Sequence, residues 1–115
     1  MIGQKHRFHG HNSLRYVYSN GRTVRSKDMA IRFADNPRRK NYRCAVVVSK
    51  KVSKSAVTRN RIRRRIYELV RSYEDQIQGT PDIVVTVHSD KVASIDSRQL
   101  AKDMFKLIND ASLIG

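Results

Sequence analysis

The chain has 115 residues, 39% of them apolar, which suits one domain around one modest hydrophobic core. Its formal net charge of +14 and pI of about 10.6 are the electrostatic footprint of a nucleic-acid binder. The single cysteine, Cys44, excludes an internal disulfide, and neither a signal-type segment after Met1 nor an apolar run near the roughly 20 residues that span a bilayer is present, so the expectation is a cytoplasmic protein with no membrane partner.

Residues 1–11 are polar and basic and predict an extended arm. They carry His6, His9 and His11, whose imidazoles are close in sequence. A metal site needs a further ligand and an ordered frame, so RNA contact or solvation is the expected role. Asn12 or Ser13 is the expected cap of a short helix through Leu14, Tyr16, Val17 and Tyr18. Asn20-Gly21 is its stop, since glycine tolerates the left-handed conformation.

Residues 23–26 and 29–34 read as short strands, with a turn over 35–40 that holds Asn36-Pro37 and three basic residues. The β-branched run Cys44-Ala45-Val46-Val47-Val48 predicts a central strand over 43–49, covered on both faces. Ser55 is the expected N-cap of a long helix from Ala56 to about Gln78, whose apolar face is Ile62, Ile66, Leu69, Val70, Tyr73 and Ile77. Gly79 and Pro81 are its stop signals. A second buried-type strand follows over 82–87. Asp96 with Gln99 resembles a capping box before a last helix that buries Leu100, Met104, Leu107, Ile108 and Ala111. The order is α-β-β-β-α-β-α, an α/β (α+β) sandwich, and the strand–helix–strand unit over 43–87 predicts some parallel pairing.

Charge is distributed unevenly along this plan. Residues 1–73 carry 20 basic and 3 acidic side chains, whereas 74–115 carry 4 and 7. Between Lys50 and Arg71 nine basic residues face one acid, Glu68. A helix solvated for solubility alone usually interleaves Glu and Lys at i, i+4, and this one does not before Glu68. At 100° per residue Ile62, Ile66, Leu69 and Tyr73 are expected to face the sheet. Asn60, Arg64, Tyr67 and Arg71 fall on the far side, with Arg61, Arg63 and Arg65 flanking. Guanidinium forks suit phosphate oxygens, and Lys50, Lys51 and Lys54 lead into the helix N-terminus, where unsatisfied amides add anion attraction. The acids Asp82, Asp90, Asp96, Asp103 and Asp110 are scattered, and no Ser, Tyr or Thr has a local His–Asp arrangement. The chain reads as an RNA cofactor rather than an independent nuclease.

The run Lys50-Lys51-Val52-Ser53-Lys54-Ser55-Ala56-Val57-Thr58-Arg59-Asn60-Arg61-Ile62-Arg63-Arg64 resembles the protein subunit of bacterial ribonuclease P. The similarity extends over nearly the whole chain, including the arm with Arg7-Phe8 and the first helix with Val17-Tyr18 ending near Gly21. The resemblance implies a fold like the second domain of ribosomal protein S5, with a left-handed βαβ crossover. It implies Mg2+-dependent removal of the 5′ leader from precursor tRNA, with catalysis and the metal carried mainly by ribonuclease P RNA and no stable protein partner. Lys50, Lys51, Lys54, Arg61, Arg63, Arg64 and Arg65 are then expected to meet the RNA subunit. Leu14, Tyr18, Lys27, Arg32, Arg59 and Asn60 are expected to hold the leader. Tyr18 keeps an aromatic type usual at its position. Leu14 and Arg32 depart from it, and Arg32 is expected to hold a phosphate or stack through its guanidinium. Two other readings share the charge: a ribosomal or assembly factor, which needs no leader cleft, and a protein-only nuclease, which needs an essential acid or histidine.

Overall fold

The computed structural model describes residues 11–114, with side chains from residue 14 onward. Helix α1 (His11–Asn20) is followed by strands β1 (Arg22–Arg25), β2 (Met29–Asp35) and β3 (Arg43–Val48), then α2 (Ala56–Ser72), β4 (Pro81–Val87), a 3-10 turn over Asp90–Ala93 and α3 (Ser97–Asp110). The four strands form one sheet in the order β1-β2-β4-β3. β2 pairs antiparallel with β1 and β4, while β3 and β4 run parallel. The expected element order and the parallel pair across α2 are both present.

Each face of the sheet follows from the two-residue alternation of strands. Met29 and Ile31, Cys44, Val46 and Val48, and Ile83, Val85 and Val87 point to one side, where they meet α2 and α3 in the main core. From α2 that core receives Ile62, Ile66 and Val70, all essentially inaccessible. Each is worth roughly 1.5–3 kcal/mol of burial. α3 adds Leu100, Met104, Leu107 and Ile108. The other face presents Ala30, Arg32 and Ala34 with Asp82, Val84 and Thr86 of the facing strand, and α1 lies across it with Val17 fully buried. Small alanines at 30 and 34 leave room for that helix.

Several expectations need correction. β3 is an edge strand, not a central one; the central pair is β2 and β4. Its outward Val46 amide donates to the Tyr67 hydroxyl at 3.3 Å, so Tyr67 leans over the sheet edge rather than away from it. α2 stops at Ser72, six residues short of the expected end. Tyr73 leaves helical geometry at φ −102°, ψ 0°, and Ile77 pairs instead with Ile114. Ser55 does cap α2, its hydroxyl accepting from the Thr58 amide at 3.2 Å. Asp96 caps α3 through the Arg98 amide, but the Gln99 side chain donates forward to Asp103 Oδ1 at 2.9 Å, so no capping box closes. α1 begins at His11, ahead of the expected caps Asn12 and Ser13. Gly21 ends it by close approach rather than by a left-handed backbone. A Cβ there would collide with the Val17 carbonyl oxygen and sit 2.9 Å from that of Phe33. Among the described glycines the left-handed one is Gly79, at φ 71°.

One of the scattered acids turns out to be structural. Asp82 is inaccessible, and its carboxylate accepts from Arg43 Nε and Nη2 at 2.9 and 2.8 Å and from Asn36 Nδ2 at 2.9 Å. Arg43 and Asp82 are register partners on β3 and β4, so the pair fixes the parallel edge. A buried carboxylate is tolerable only when it is matched in this way.

Candidate nucleic-acid interface

The sheet topology gathers basic residues that are far apart in sequence. Met29, Val87 and Val48 are in register, so the β1–β2 turn, the end of β4 and the β3–α2 loop share one end of the sheet. Exposed Lys27 comes from the turn; exposed Lys50, Lys51 and Lys54 come from the loop. The His88 amide donates to the Asp28 carbonyl at 2.8 Å and ties that end together. Arg59, in the first turn of α2, bends back so that Nη1 donates to the Ser53 carbonyl at 2.9 Å. It thus braces the lysine loop while staying half-exposed.

Along α2, Asn60, Arg61 and Arg64 are exposed and Arg63 is half-exposed, with Nη1 donating to Asn60 Oδ1 at 2.9 Å. Arg65 has a different task. Its Nη1 and Nη2 donate to the carbonyls of Val92 and Ile95 at 2.8 and 2.6 Å. It straps the 3-10 turn to α2, committing two of its five donors inside the protein. The strap shapes a cleft of about 430 Å³, walled by Arg61, Arg64 and Arg65 on one side and Ser94 to Ser97 on the other.

The second expected group lies on the α1 face. α1 packs on β2 and β4, and Ala45, Val47 and Thr86 form a half-exposed strip on the same face of the sheet. Tyr18 is 46% exposed, and Leu14, one helical turn earlier, is half-exposed. Tyr16 anchors the helix, its hydroxyl donating to the Asp35 carbonyl at 2.9 Å. Arg32, expected to hold a phosphate or stack through its guanidinium, makes three hydrogen bonds within the protein. Nε donates to the Val17 carbonyl at 3.2 Å, Nη1 to Thr23 Oγ1 at 3.1 Å and Nη2 to the Tyr18 carbonyl. Both carbonyls belong to the last turn of α1, and that of Val17 also accepts from the Gly21 amide at 2.7 Å, so Arg32 helps cap the helix from the sheet. Roughly 10 Å of strand, three residues, separates Arg32 from the lysine end of the sheet.

The chemistry this surface supports is binding. Cys44 is inaccessible, and burial pushes its thiol up to about 12, so it is a packing group rather than a nucleophile. Burial, and next the charge of Glu74, also raises the Tyr42 phenol. Among the described residues no three His, Cys, Asp or Glu side chains come together as a metal site, and no helix is long and apolar enough to cross a membrane. His6, His9 and the side chain of His11 lie outside the described residues.

Fold and charge together define a small basic α/β protein that exposes a lysine-bearing loop, an arginine-bearing helix and a half-exposed sheet strip. The chain belongs to the ribonuclease P family: the family model described as Ribonuclease P matches residues 2–112. Among its relatives, the ribonuclease P protein component of Chloroflexus aurantiacus is 36% identical over 87% of this chain and 73% of its own length. That of a Pseudanabaena species is 31% identical over 99% and 97%. The fold is shared with the Staphylococcus aureus ribonuclease P protein, at a TM-score of 0.84 and 22% identity over 96% of this chain and 98% of that one. The Thermotoga maritima protein superposes at 0.73 and 21% identity over 84% and 89%.

Proposed function

We propose that the chain is the protein subunit of a ribonucleoprotein ribonuclease P in the cytoplasm. It docks on the catalytic RNA and receives the 5′ leader of precursor tRNA, supporting endonucleolytic removal of that leader to give the mature 5′ end. The observation that carries the reading is the family match over residues 2–112, joined to the exposed Arg61 and Arg64 on a helix whose opposite face is buried. Arg61, Arg63 and Arg64, with Lys50, Lys51 and Lys54, neutralise phosphates of the folded RNA. An A-form RNA major groove is too narrow for side chains to read, so this contact recognises backbone and shape.

The single-stranded leader runs over the half-exposed strip of β3 and β4, with Tyr18 and Leu14 on one side and Lys27 and Arg59 at the lysine end. Mg2+ and the cleaving water are held by the RNA partner, whose phosphate oxygens are the hard ligands this ion prefers. The protein raises affinity for precursor over mature tRNA because only the precursor fills the strip. Binding of both tRNAs by the reconstituted complex tests this. A stacked base and its phosphate contacts predict roughly a five- to 100-fold preference for the precursor. Equal affinities would refute the leader assignment.

A further inference from the structure

We propose that Arg32 is a positioning residue, which locks the exposed Tyr18 ring as a single preset platform for one unpaired base and does not itself contact the RNA. This rests on the leader-binding reading above and deepens it.

Three observations converge. First, the Arg32 guanidinium carbon lies 5.7 Å from the centre of the Tyr18 ring, within cation–π range, so one face of the ring is already covered. Nearly half of the Tyr18 residue is still exposed, at 46%. Second, the guanidinium is committed. Its Nε–Nη2 edge, one of the edges that would grip a phosphate as a fork, is filled by the Val17 and Tyr18 carbonyls, and Nη1 is held by Thr23 Oγ1. Three of the five donors of an arginine are thus used inside the protein. Third, the backbone makes room for this reach. Gly21 lets the chain turn against β2, and a side chain there would meet Arg32 Cγ at 3.3 Å as well as the Phe33 carbonyl at 2.9 Å.

Arg32 fixes the carbonyl of Tyr18 and one face of its ring, so backbone and side chain are held from one point. The ring then meets a base without losing the rotamer freedom an unsupported surface tyrosine would lose. A base stacked on the open face sits on a ring backed by a cation, an arrangement that tolerates any base.

The test uses the protein reconstituted with its RNA subunit. Precursor tRNAs carry 2-aminopurine at successive leader positions, and the variants are Tyr18→Ala, Arg32→Lys, their double mutant and Thr23→Val. Fluorescence quenching at one leader position and the precursor KM are read together, with affinity for the RNA subunit as the control. Arg32→Lys keeps the charge and loses the fork. It is expected to raise KM roughly five- to 100-fold, as Tyr18→Ala does, to abolish the quench and to leave kcat and RNA-subunit affinity unchanged. The double mutant should be no worse than either single mutant. Thr23→Val, which removes one acceptor and no charge, should shift both readouts in the same direction by less, and it carries the test if Arg32→Lys does not fold. A Tyr18→Ala loss with full quench in both Arg32→Lys and Thr23→Val would overturn the inference while leaving the leader reading intact. Additive losses, or a salt dependence of precursor binding that flattens by roughly 1 in a charge-removing Arg32→Gln variant, would show a direct phosphate contact and overturn it as well. No effect of Tyr18→Ala would remove the leader platform, and the inference with it.

Discussion

Replacing Arg65 by alanine should separate stability from RNA binding, whereas replacing its neighbours Arg61 and Arg64 should do the reverse. Arg65 makes two charge-assisted hydrogen bonds, at 2.8 Å to the Val92 carbonyl and 2.6 Å to that of Ile95. Such bonds contribute about 1.5–3 kcal/mol each when protected. Arg65 is half-exposed, so solvent screening reduces the pair to about 2 kcal/mol in total. Losing the strap also releases the 3-10 turn that buries Val92 and Ala93 against the core. Urea unfolding of Arg65→Ala should therefore show about 2 kcal/mol of destabilisation with an unchanged m-value. Arg61 and Arg64 are exposed on the same helix and should each change stability by less than about 0.5 kcal/mol. Binding to the RNA subunit as a function of salt inverts the ranking. Arg61→Ala and Arg64→Ala should each flatten the log–log slope by roughly 1, one phosphate contact apiece, and Arg65→Ala should leave it unchanged. A flattened slope in Arg65→Ala at full stability, or an unaltered slope in both exposed-arginine variants, would contradict this division of roles.

Three further outcomes follow from the same packing. Asp82→Ala should cost about 3–5 kcal/mol in urea unfolding, because it leaves the Arg43 charge buried without its carboxylate; joint replacement as Arg43→Met with Asp82→Leu should recover most of that loss. Gly21→Ala should cost about 1–3 kcal/mol from the collision with the Val17 and Phe33 carbonyls, and a stability equal to the parent would contradict the close approach. Stability should fall at alkaline pH. The Cys44 thiol, at about 12 when folded against roughly 8.5 in an unfolded chain, is held neutral by burial, so its contribution is complete below about pH 8.5 and is lost as pH rises toward 12. The limiting slope from this group is about 1.4 kcal/mol per pH unit, and Cys44→Ala should reduce the alkaline slope accordingly; an identical slope in the variant would contradict the assignment.

Local patterns carried most of the fold. Ser55 and the Ile62, Ile66, Val70 spacing are read within one or two helical turns, so α2 and its buried face were legible. Its C-terminus was not. Tyr73 and Ile77 continue the helical period, but Ile77 is claimed by Ile114, 37 residues away, which no window around it contains. The run at Cys44–Val48 illustrates another limit. Apolar composition reports that a strand is covered, not by how many neighbours, and β3 gets by as an edge because Tyr67 takes its outward amide at Val46. The same holds for the interface. Arg61 and Arg64 announce themselves by helical position, and the structure leaves both exposed. Arg65 and Arg32 look equally cationic in sequence, yet their partners lie 27 and 30 residues away and 9 to 15 residues away, so their internal roles emerge only once the chain is folded. The gathering of Lys27 with Lys50, Lys51 and Lys54 likewise depends on strand register.

In the proposed function an anchored cationic helix lets this chain serve a catalytic RNA. The most direct measurement adds the purified protein to the ribonuclease P RNA at a Mg2+ concentration too low for the RNA alone and follows release of the 5′ leader from precursor tRNA. Restored cleavage at the mature 5′ end, lost when Arg61 and Arg64 are both replaced by alanine, is the predicted result. Cleavage by the protein with no RNA present, or no stimulation at any protein concentration, would contradict it.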